Sequence, residues 1–519
     1  MTEFCESCDS EDCRCGRAST FAMRAQAIRE QVIADSAPAP AAKPPLQIVD
    51  DRPEPAPASP RSLEDVIEVF QQHLYLEDTT ALKVVLGAVA ANHMEEFDPV
   101  WVLIVGSSGG GKTELLQPLD ALPDVHITAS LTEAGLLSGS SKKDRSNTST
   151  GGLLRKIGEF GIIVPKDFTT VLSMPRDKRA QLLAALREIY DGRWNRDLGT
   201  DGGQSLQWEG KVGLIGGVTG AIDSAHKVSS VMGERFLLCR LPNDDRREKA
   251  ARALARRTSP AKMRAELQEA VAGMFSTVTS WTAREFSKFE TDEILERAYF
   301  VATARSGVER DGYTRDVELI LDPETPTRLG LQLKGLLAGL GAIGVDLKEA
   351  WEIVNKVALD SMPQSRRHVI QALYDNPNSD TNDIAEATAY PSTTARRTLE
   401  DLRAHGIVTI TTRAGGDTAS AHKWDLTGES RTAWERVRSV PETLALLYNP
   451  PLDLPKEAEI APPLLKNKDR GNKSGKLDGL DLIPGSDPDH SLDAAFSHAE
   501  EGAAPRPMTR EDVLRVLGR

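Results

Sequence analysis

The chain has 519 residues with a formal net charge of −14, and 40% of its residues are hydrophobic. This length exceeds what one hydrophobic core organises, so the sequence predicts about three folded units. No apolar run reaches the ~18 residues that a transmembrane helix needs, and the start of the chain lacks a secretory signal, which favours a cytoplasmic protein without membrane partners. The acidic balance argues against a protein that coats nucleic acid, although a few arginines suffice for local DNA contacts.

Residues 1–18 contain a compact group of cysteines, at Cys5, Cys8, Cys13 and Cys15. A CxxC followed by a CxC could offer four thiolates to one tetrahedral Zn²⁺, and a flexible cluster of free thiols is the alternative. Both interpretations stay open. Residues 19–61 are rich in proline and alanine and predict an extended linker.

A glycine-rich loop follows the apolar run at residues 102–105 and precedes a helical pattern that starts at Glu114. Its sequence, GSSGGGKT, fits the phosphate-binding pattern GxxxxGK[ST] without a mismatch. In this context backbone N–H groups surround the phosphates, the lysine reaches the β- and γ-phosphates, and the threonine ligates Mg²⁺. The predicted site for ATP and Mg²⁺ therefore comprises Gly106, Ser107, Ser108, Gly109, Gly110, Gly111, Lys112 and Thr113.

The segments after the loop resemble, in their order, the AAA+ ATPases of the clade that contains the minichromosome-maintenance (MCM) helicases. Residues 131–168 read LTEAGLLSGSSKKDRSNTSTGGLLRKIGEFGIIVPKDF, similar to the stretch in which those proteins insert into helix 2 and then enter an acidic strand. Residues 192–219 are similar to their hairpin and sensor 1 strand, which implies that Thr219 is the sensor 1 residue. The resemblance, shared with replication proteins of phages and bacterial mobile elements, implies an α/β core at 62–250 and a helical lid at 251–360.

The same resemblance singles out two arginines. Residues 229–242, SSVMGERFLLCRLP, are similar to a segment whose arginine reaches the ATP of the neighbouring subunit, which implies that role for Arg235. A guanidinium given across an interface would stabilise the charge that develops at the γ-phosphate, and a local salt bridge is the alternative. Arg328, at the start of a lid helix, is similar to the sensor 2 arginine, with Arg305 as its competitor.

The resemblance leaves two alignments open for the end of the acidic strand, GIIVPKDFTT. Anchored on the strand, Asp167 holds the Mg²⁺ shell. Anchored on the phenylalanine, as in the DEF of MCM proteins, Lys166 replaces the metal-binding acid and Asp167 is the water-activating one. We favour the first alignment, because the metal also has Thr113, phosphates and water as ligands. Glu188, on the following helix, could then approach the site as a second carboxylate, or could be a solvated helix residue.

Residues 361–428 predict three helices and then two short strands, the order of a winged helix-turn-helix. Its predicted DNA contacts are Thr393, Thr394, Arg396 and Arg397 in the recognition helix and Arg413 in the wing. A protein-docking module is the alternative interpretation. Residues 429–507 predict a mostly disordered linker, and residues 508–519 a short helix that either docks a partner or frays.

The predicted fold is thus an α/β AAA+ P-loop ATPase core with a helical lid and a C-terminal winged helix-turn-helix, between disordered ends. The predicted function is an oligomeric, ATP-hydrolysing DNA motor or replication initiator of a phage or mobile element, helicase-like, as a homo-oligomer or hexameric ring. The hairpin at 192–211 would offer Arg193, Arg196 and Lys211 to DNA in a pore, with Trp194 stacked either on a base or against Trp208. The alternatives are an ATP-dependent transcription regulator and a helicase loader or adaptor.

Overall fold

The computed structural model describes residues 58–137, 152–198, 204–224, 235–243, 245–278, 281–411 and 423–441. They all belong to the first of two compact units, residues 1–450. The cysteine cluster, most of the predicted linker, the wing residue Arg413 and the predicted terminal helix lie outside the described residues. Among the helices that are described, none is long and apolar enough to cross a bilayer.

The amino-terminal half alternates strands and helices, which is typical of a parallel α/β sheet. Its elements are α1 (Leu63–His73), α2 (Thr80–His93), β1 (Trp101–Val105), α3 (Lys112–Leu116) with a 3₁₀ turn (Gln117–Ala121), β2 (Val125–Thr128), α4 (Glu133–Leu136), α5 (Leu153–Ile157), β3 (Phe160–Pro165), α6 (Thr169–Leu172), α7 (Arg176–Tyr190), β4 (Arg193–Leu198), β5 (Gln204–Glu209), β6 (Lys211–Val218), α8 (Ala221–Ser224) and β7 (Leu237–Arg240).

The carboxy-terminal half is mainly helical. Its elements are α9 (Arg246–Ala255), α10 (Pro260–Ser276), α11 (Lys288–Arg305), β8 (Val308–Arg310), β9 (Val317–Ile320), α12 (Thr327–Ala342), α13 (Leu347–Asp360), α14 (Gln364–Asp375), α15 (Thr381–Thr388), α16 (Ser392–Ala404), β10 (Val408–Thr411), β11 (Lys423–Leu426) and α17 (Gly428–Arg438).

A five-stranded sheet in the order β2-β3-β6-β1-β7 forms the centre of the described unit. All four pairings are parallel, and the three inner strands β3, β6 and β1 are buried almost throughout because helices cover both faces. The prediction of an α/β fold is confirmed at this level. Because the strands are parallel, the segments that follow them meet at one edge, here called the carboxyl edge. The segments that precede them meet at the opposite amino edge.

Helix α2 joins the sheet to the helical half. It is apolar on nearly every side, and such a helix is stable only when it is buried all round. It packs closely on α12, where a Cβ on Gly339 would lie only 2.0 Å from the carbonyl oxygen of Gly87. Two glycines therefore let the backbones touch and fix α12 against the core.

The C-terminal module contains α14, α15 and α16 and the antiparallel pair β10–β11, in the predicted order. Helix α17 occupies the start of the segment 429–507 that was predicted to be mostly disordered, and residues 442–507 lie outside the described residues. Thr427 caps this helix through Ser430, and Trp434 packs on Phe300 of α11 with 6.1 Å between ring centroids. The i, i+3 spacing of Trp434 and Val437, both buried, was the available sequence signal.

Arg240, the last residue of β7, takes part in the hydrogen bonds that connect the α/β core to the C-terminal module. Its guanidinium donates to both carboxylate oxygens of Asp223 in α8, at 2.7 and 2.8 Å, and its backbone N–H donates to Asp360 of α13 at 2.8 Å. The backbone N–H of Gln364, the first residue of α14, also donates to Asp223 at 3.1 Å. The segment after β6 is thereby connected to the first helix of the C-terminal module.

Candidate functional site

The glycine-rich loop leaves the end of β1 at the carboxyl edge. The amide of Gly106 donates to the carbonyl of Val218 in β6 at 3.0 Å, which anchors the start of the loop. Gly109 and Gly111 have φ values of 75° and 88°, in the left-handed region that favours glycine. These two positions let the loop turn back on itself before α3 begins at Lys112, as the sequence motif predicts.

Lys112 is buried inside the loop rather than extended into solvent. Its Nζ donates to the carbonyls of Gly106 and Ser107, at 2.7 and 2.8 Å. Burial lowers the pKa of this amine, and the nearby charge of Asp167 opposes that shift. The loop thus holds a partly desolvated cation on neutral carbonyls, and an anionic ligand would be a stronger partner for it.

Asp167 and Thr219 meet beside the loop, because β3 and β6 are neighbours. Asp167 is exposed, and its Oδ1 accepts the amide of Thr169 at 2.9 Å. The Thr169 hydroxyl accepts the amide of Thr219 at 3.1 Å and lies 3.3 Å from the Thr219 hydroxyl. Phe168 points the other way, into the core, with its amide bonded to the carbonyl of Gly217. The predicted acid and sensor 1 residues are therefore brought together.

These groups fit a magnesium-bound nucleotide. Thr113, exposed at the end of the loop, and Asp167 supply oxygen donors of the kind that Mg²⁺ prefers. The described part of the chain contains no cluster of three or more His, Cys, Asp or Glu side chains that could hold a metal by itself. A metal at this edge would depend on Thr113, Asp167 and the oxygens of the nucleotide.

A cavity of about 290 Å³ adjoins the loop, and sequence reasoning missed it. The residues after β7 close it, since Leu241 donates its amide to Val105 and comes within 3.0 Å of where a Cβ on Gly106 would lie. Helix α9 forms the other wall with Arg246 and Lys249. The basic run RREKAARALARR was the available sequence signal.

Arg235 lies at the amino edge, away from the loop. Its guanidinium donates to both oxygens of Asp191 at 3.2 and 3.0 Å and lies over the ring of Tyr190. Only 8% of its side chain is exposed. Burial lowers its pKa, and the neighbouring charge of Arg328 adds to that effect. Arg235 therefore makes a local salt bridge with Asp191 of its own chain, which was the alternative interpretation of this residue.

Arg328 lies beside Arg235 rather than beside the loop. It binds Glu324 at 2.8 Å, and the other carboxylate oxygen of Glu324 binds the buried Arg305 at 2.7 Å. Arg328 also lines a cavity of about 570 Å³ at this edge. The sensor 2 candidate and its competitor therefore share one acid.

The two edges are too far apart for one chain to combine them. Leu237 pairs with Val102, so Arg235 lies before the start of β1, whereas the loop follows its end. The five residues of β1 span about 16 Å, more than an extended arginine side chain.

Glu188 is also at the amino edge. It is exposed near the end of α7, two residues before Tyr190, whose ring packs on Trp101 at the start of β1. Helix α7 begins near the acidic strand and carries Glu188 about 18 Å away from its first residue. The expectation that Glu188 approaches the loop of its own chain is therefore wrong.

The predicted hairpin is present as β4 and β5. Trp194 and Trp208 are both buried and paired across the strands, which confirms the cross-strand role over base stacking. Arg193 is exposed and pairs with Glu209 at 3.1 Å. Arg196 instead packs on α4, where it binds Glu133 at 3.1 Å.

Lys211 follows the hairpin and lies at its base. Its Nζ donates to the carbonyl of Met94, and burial lowers its pKa to about 8. Lys211 lines the larger cavity together with Arg328. Of the three predicted DNA contacts in this region, only Arg193 is well exposed.

In α16, Thr393, Arg396 and Arg397 are exposed, whereas Thr394 is half-buried. Arg396 pairs with Glu400 at 2.8 Å, and Glu400, followed by Asp316 of the β8–β9 hairpin, raises its pKa. Three of the four predicted recognition residues are therefore accessible to a ligand.

The β8–β9 hairpin is docked onto the carboxyl half of α16. Arg310 donates to Glu400 at 2.9 Å, to Asp401 at 2.5 Å and to the carbonyl of Arg397 at 2.9 Å. The exposed arginines of α16 therefore share their surroundings with an acidic hairpin.

The chain matches no protein-family model, and no curated protein matches it. Similar solved structures include an A-form apo structure of the NrS-1 C-terminal region, which is 13% identical over 72% of this chain and 78% of that chain, with a TM-score of 0.26. A second structure of that region is 12% identical over the same shares, with the same TM-score. A likeness of this size carries no argument about the function of the chain.

Proposed function

We propose that this protein is an oligomeric, ATP-hydrolysing DNA motor or replication initiator of the helicase type. The main support is that the charged and polar side chains an ATPase site needs are divided between two edges of one sheet. The carboxyl edge has the glycine-rich loop, a desolvated Lys112, Asp167 and Thr219. The amino edge has Arg235 and Arg328. Each edge is half of an ATPase site that a second copy would complete.

At the carboxyl edge Lys112 leaves the carbonyls of Gly106 and Ser107 for the β- and γ-phosphates of ATP. Bound Mg²⁺ neutralises phosphate charge, and Thr113 and Asp167 are the residues that would hold it. Thr219, linked to the acidic strand through Thr169, orients the attacking water or the γ-phosphate. The smaller cavity beside the loop is the space for the nucleoside, with Arg246 and Lys249 in its wall.

At the amino edge Arg235 and Arg328 would serve the nucleotide of a neighbouring copy. The separation of about 16 Å across β1 excludes them from the loop of their own chain. A guanidinium given in trans stabilises charge at the transferring phosphoryl group. The acids that hold these arginines, Asp191 and Glu324, keep them in place until the neighbour docks.

The DNA contact is assigned to the C-terminal module and to the β4–β5 hairpin. Thr393, Arg396 and Arg397 are the exposed residues in the amino-terminal part of α16, the part of a recognition helix that reaches base edges. Hydrogen bonds of Asp223 with Arg240 and Gln364 link this module to the segment that follows Thr219.

A helicase loader or adaptor is the second candidate function. It is favoured by the acidic β8–β9 hairpin against α16, because Asp316 lies near Arg396 and would repel a phosphate backbone. In that case α16 would bind a protein rather than DNA.

The test measures ATP turnover without DNA, with single-stranded DNA and with duplex, alongside strand displacement, and uses Lys112→Ala as the inactive control. We expect ATP turnover that DNA stimulates, and strand displacement that needs Lys112. Turnover that DNA leaves unchanged but a replicative helicase stimulates would favour the loader. Absence of turnover under every condition would contradict the ATPase assignment.

A further inference from the structure

Two surfaces of the described unit expose apolar and charged side chains that its own packing does not explain. The first is helix α9. None of its ten residues, all of which the structure describes, is buried. Leu254 is 87% exposed, and residues 246–257 contain six basic residues against one acid, Glu248, in a chain of net negative charge.

The second surface is the β8–β9 hairpin. Leu319 and Ile320 are 51% and 52% exposed, and Tyr313 in its turn is 95% exposed. Residues 309–324 contain six acids against two arginines. One of these arginines, Arg310, forms the ion pairs that hold the hairpin to α16. A two-stranded ribbon with exposed apolar residues is rarely stable alone, so it gains from a partner.

Each surface borders one half of the proposed composite site. Arg246 and Lys249 of α9 wall the cavity beside the loop, which leaves the stripe of Arg247 and Leu254 facing outward at i, i+7 spacing. The hairpin leads directly through Glu324 into Arg328 at the other edge. Two copies that bring Arg328 to a neighbour's loop would also bring a hairpin towards a neighbour's α9.

We propose that the β8–β9 hairpin of one copy packs against α9 of the next copy of this chain. The interface joins two different surfaces, so it is heterologous and builds a ring or an open helical array. Leu254 meets Ile320, while Arg247 and Arg257 meet Glu318 and Asp322, which lie two residues to either side of Ile320 and so share its face of the strand. Opposite charge sets the register and orientation of the contact. This inference rests on the proposed function, since it describes how the two half-sites are held together.

The test reverses charge on each surface and then on both. One chain carries Arg247→Glu with Arg257→Glu, a second carries Glu318→Lys with Asp322→Lys, and a third carries all four changes. A matched control, Arg176→Glu with Lys178→Glu, makes the same charge change on the exposed start of α7. Assembly with a non-hydrolysable ATP analogue is measured by sedimentation velocity, and ATP turnover per chain is measured in parallel.

We expect each two-residue variant to raise the concentration for half-assembly at least about tenfold, and the four-residue variant to recover most of that loss. Binding of ATP to the unassembled chain should not change, because none of the four residues lines the cavity beside the loop. Loss in both variants without recovery would contradict the pairing of these two surfaces.

The two proposals fail in different ways. If the native chain assembles and hydrolyses ATP while neither reversal changes assembly more than the α7 control, the interface is wrong and the ATPase proposal stands. If the native chain neither assembles nor hydrolyses ATP, the proposed function and this interface are both wrong.

Discussion

The two edges of the central sheet differ in how their charged groups are satisfied. At the carboxyl edge Lys112 is held by neutral carbonyls and Asp167 is exposed, so charge there is left for a ligand. At the amino edge Arg235 and Arg328 already have carboxylate partners inside the chain. In the ATPase that we propose, the first edge binds the nucleotide directly, whereas the second must exchange its carboxylate partners before its arginines can act.

The largest expected effect on ATP turnover comes from a variant at the carboxyl edge. Lys112→Ala should lower ATP turnover by about 100-fold or more, because the phosphates lose their main cationic partner in a desolvated loop. Lys178→Ala, an exposed lysine on α7, is the matched control and should keep native turnover. Native turnover in Lys112→Ala would remove the loop from the reaction.

The next two variants each neutralise one carboxylate, Asp167 at the carboxyl edge and Glu188 at the amino edge. Asp167→Asn should stop hydrolysis while nucleotide binding largely survives, since the change removes a charge near the metal and keeps the shape. Glu188→Gln should stay within about twofold of native turnover, because Glu188 lies at the far end of α7. Steady-state turnover and equilibrium binding of a labelled nucleotide measure both. A large loss in Glu188→Gln with normal assembly would contradict the placement of the acids.

Sequence patterns predicted the features that depend on neighbours along the chain. The loop at 106–113, the strand that ends before Asp167 and the Trp194–Trp208 pair are local patterns, and the structure has the elements in that order. Helix α17 also had a local signal in its Thr427 cap and buried Trp434, but the surrounding polar composition concealed it.

Features that depend on distant residues could not be predicted in this way. The pairing of Arg235 with Asp191, 44 residues away, and the position of Glu188 follow from the direction of α7 across the sheet. The sequence shows each of these charged residues but not which edge it reaches. The same holds for Lys211, whose partner is the carbonyl of Met94.

Variants in the C-terminal module should have an effect of intermediate size, on DNA binding. Arg396→Ala with Arg397→Ala should weaken duplex binding and make the negative slope of log affinity against log salt shallower by about 2, since each lost phosphate contact releases one fewer counterion. Turnover without DNA should hardly change. Fluorescence anisotropy over a salt series measures the slope, with Arg176→Ala as control. An unchanged slope would favour the protein-docking interpretation of α16.

The smallest expected effect concerns the pH dependence of stability and comes from Lys211 at the amino edge. Burial lowers the pKa of Lys211 to about 8 from its ordinary value of 10.5. Between these pH values the unfolded chain keeps a proton that the folded protein has released, so this group makes stability rise with pH. Lys211→Met should remove that part of the rise between pH 8 and 10 in denaturant titrations, whereas Lys178→Met should not. Equal slopes in both variants would contradict the burial of Lys211.

The most direct test of the division between the edges mixes two inactive chains. Lys112→Ala subunits keep Arg235, and Arg235→Ala subunits keep Lys112, so at equal amounts about a quarter of the interfaces in a head-to-tail assembly have both groups. We predict that neither variant turns over ATP alone and that the mixture recovers a fraction of native turnover near that share. Absence of recovery at every mixing ratio, in assemblies shown to contain both chains, would contradict an arginine that acts on the neighbour's nucleotide.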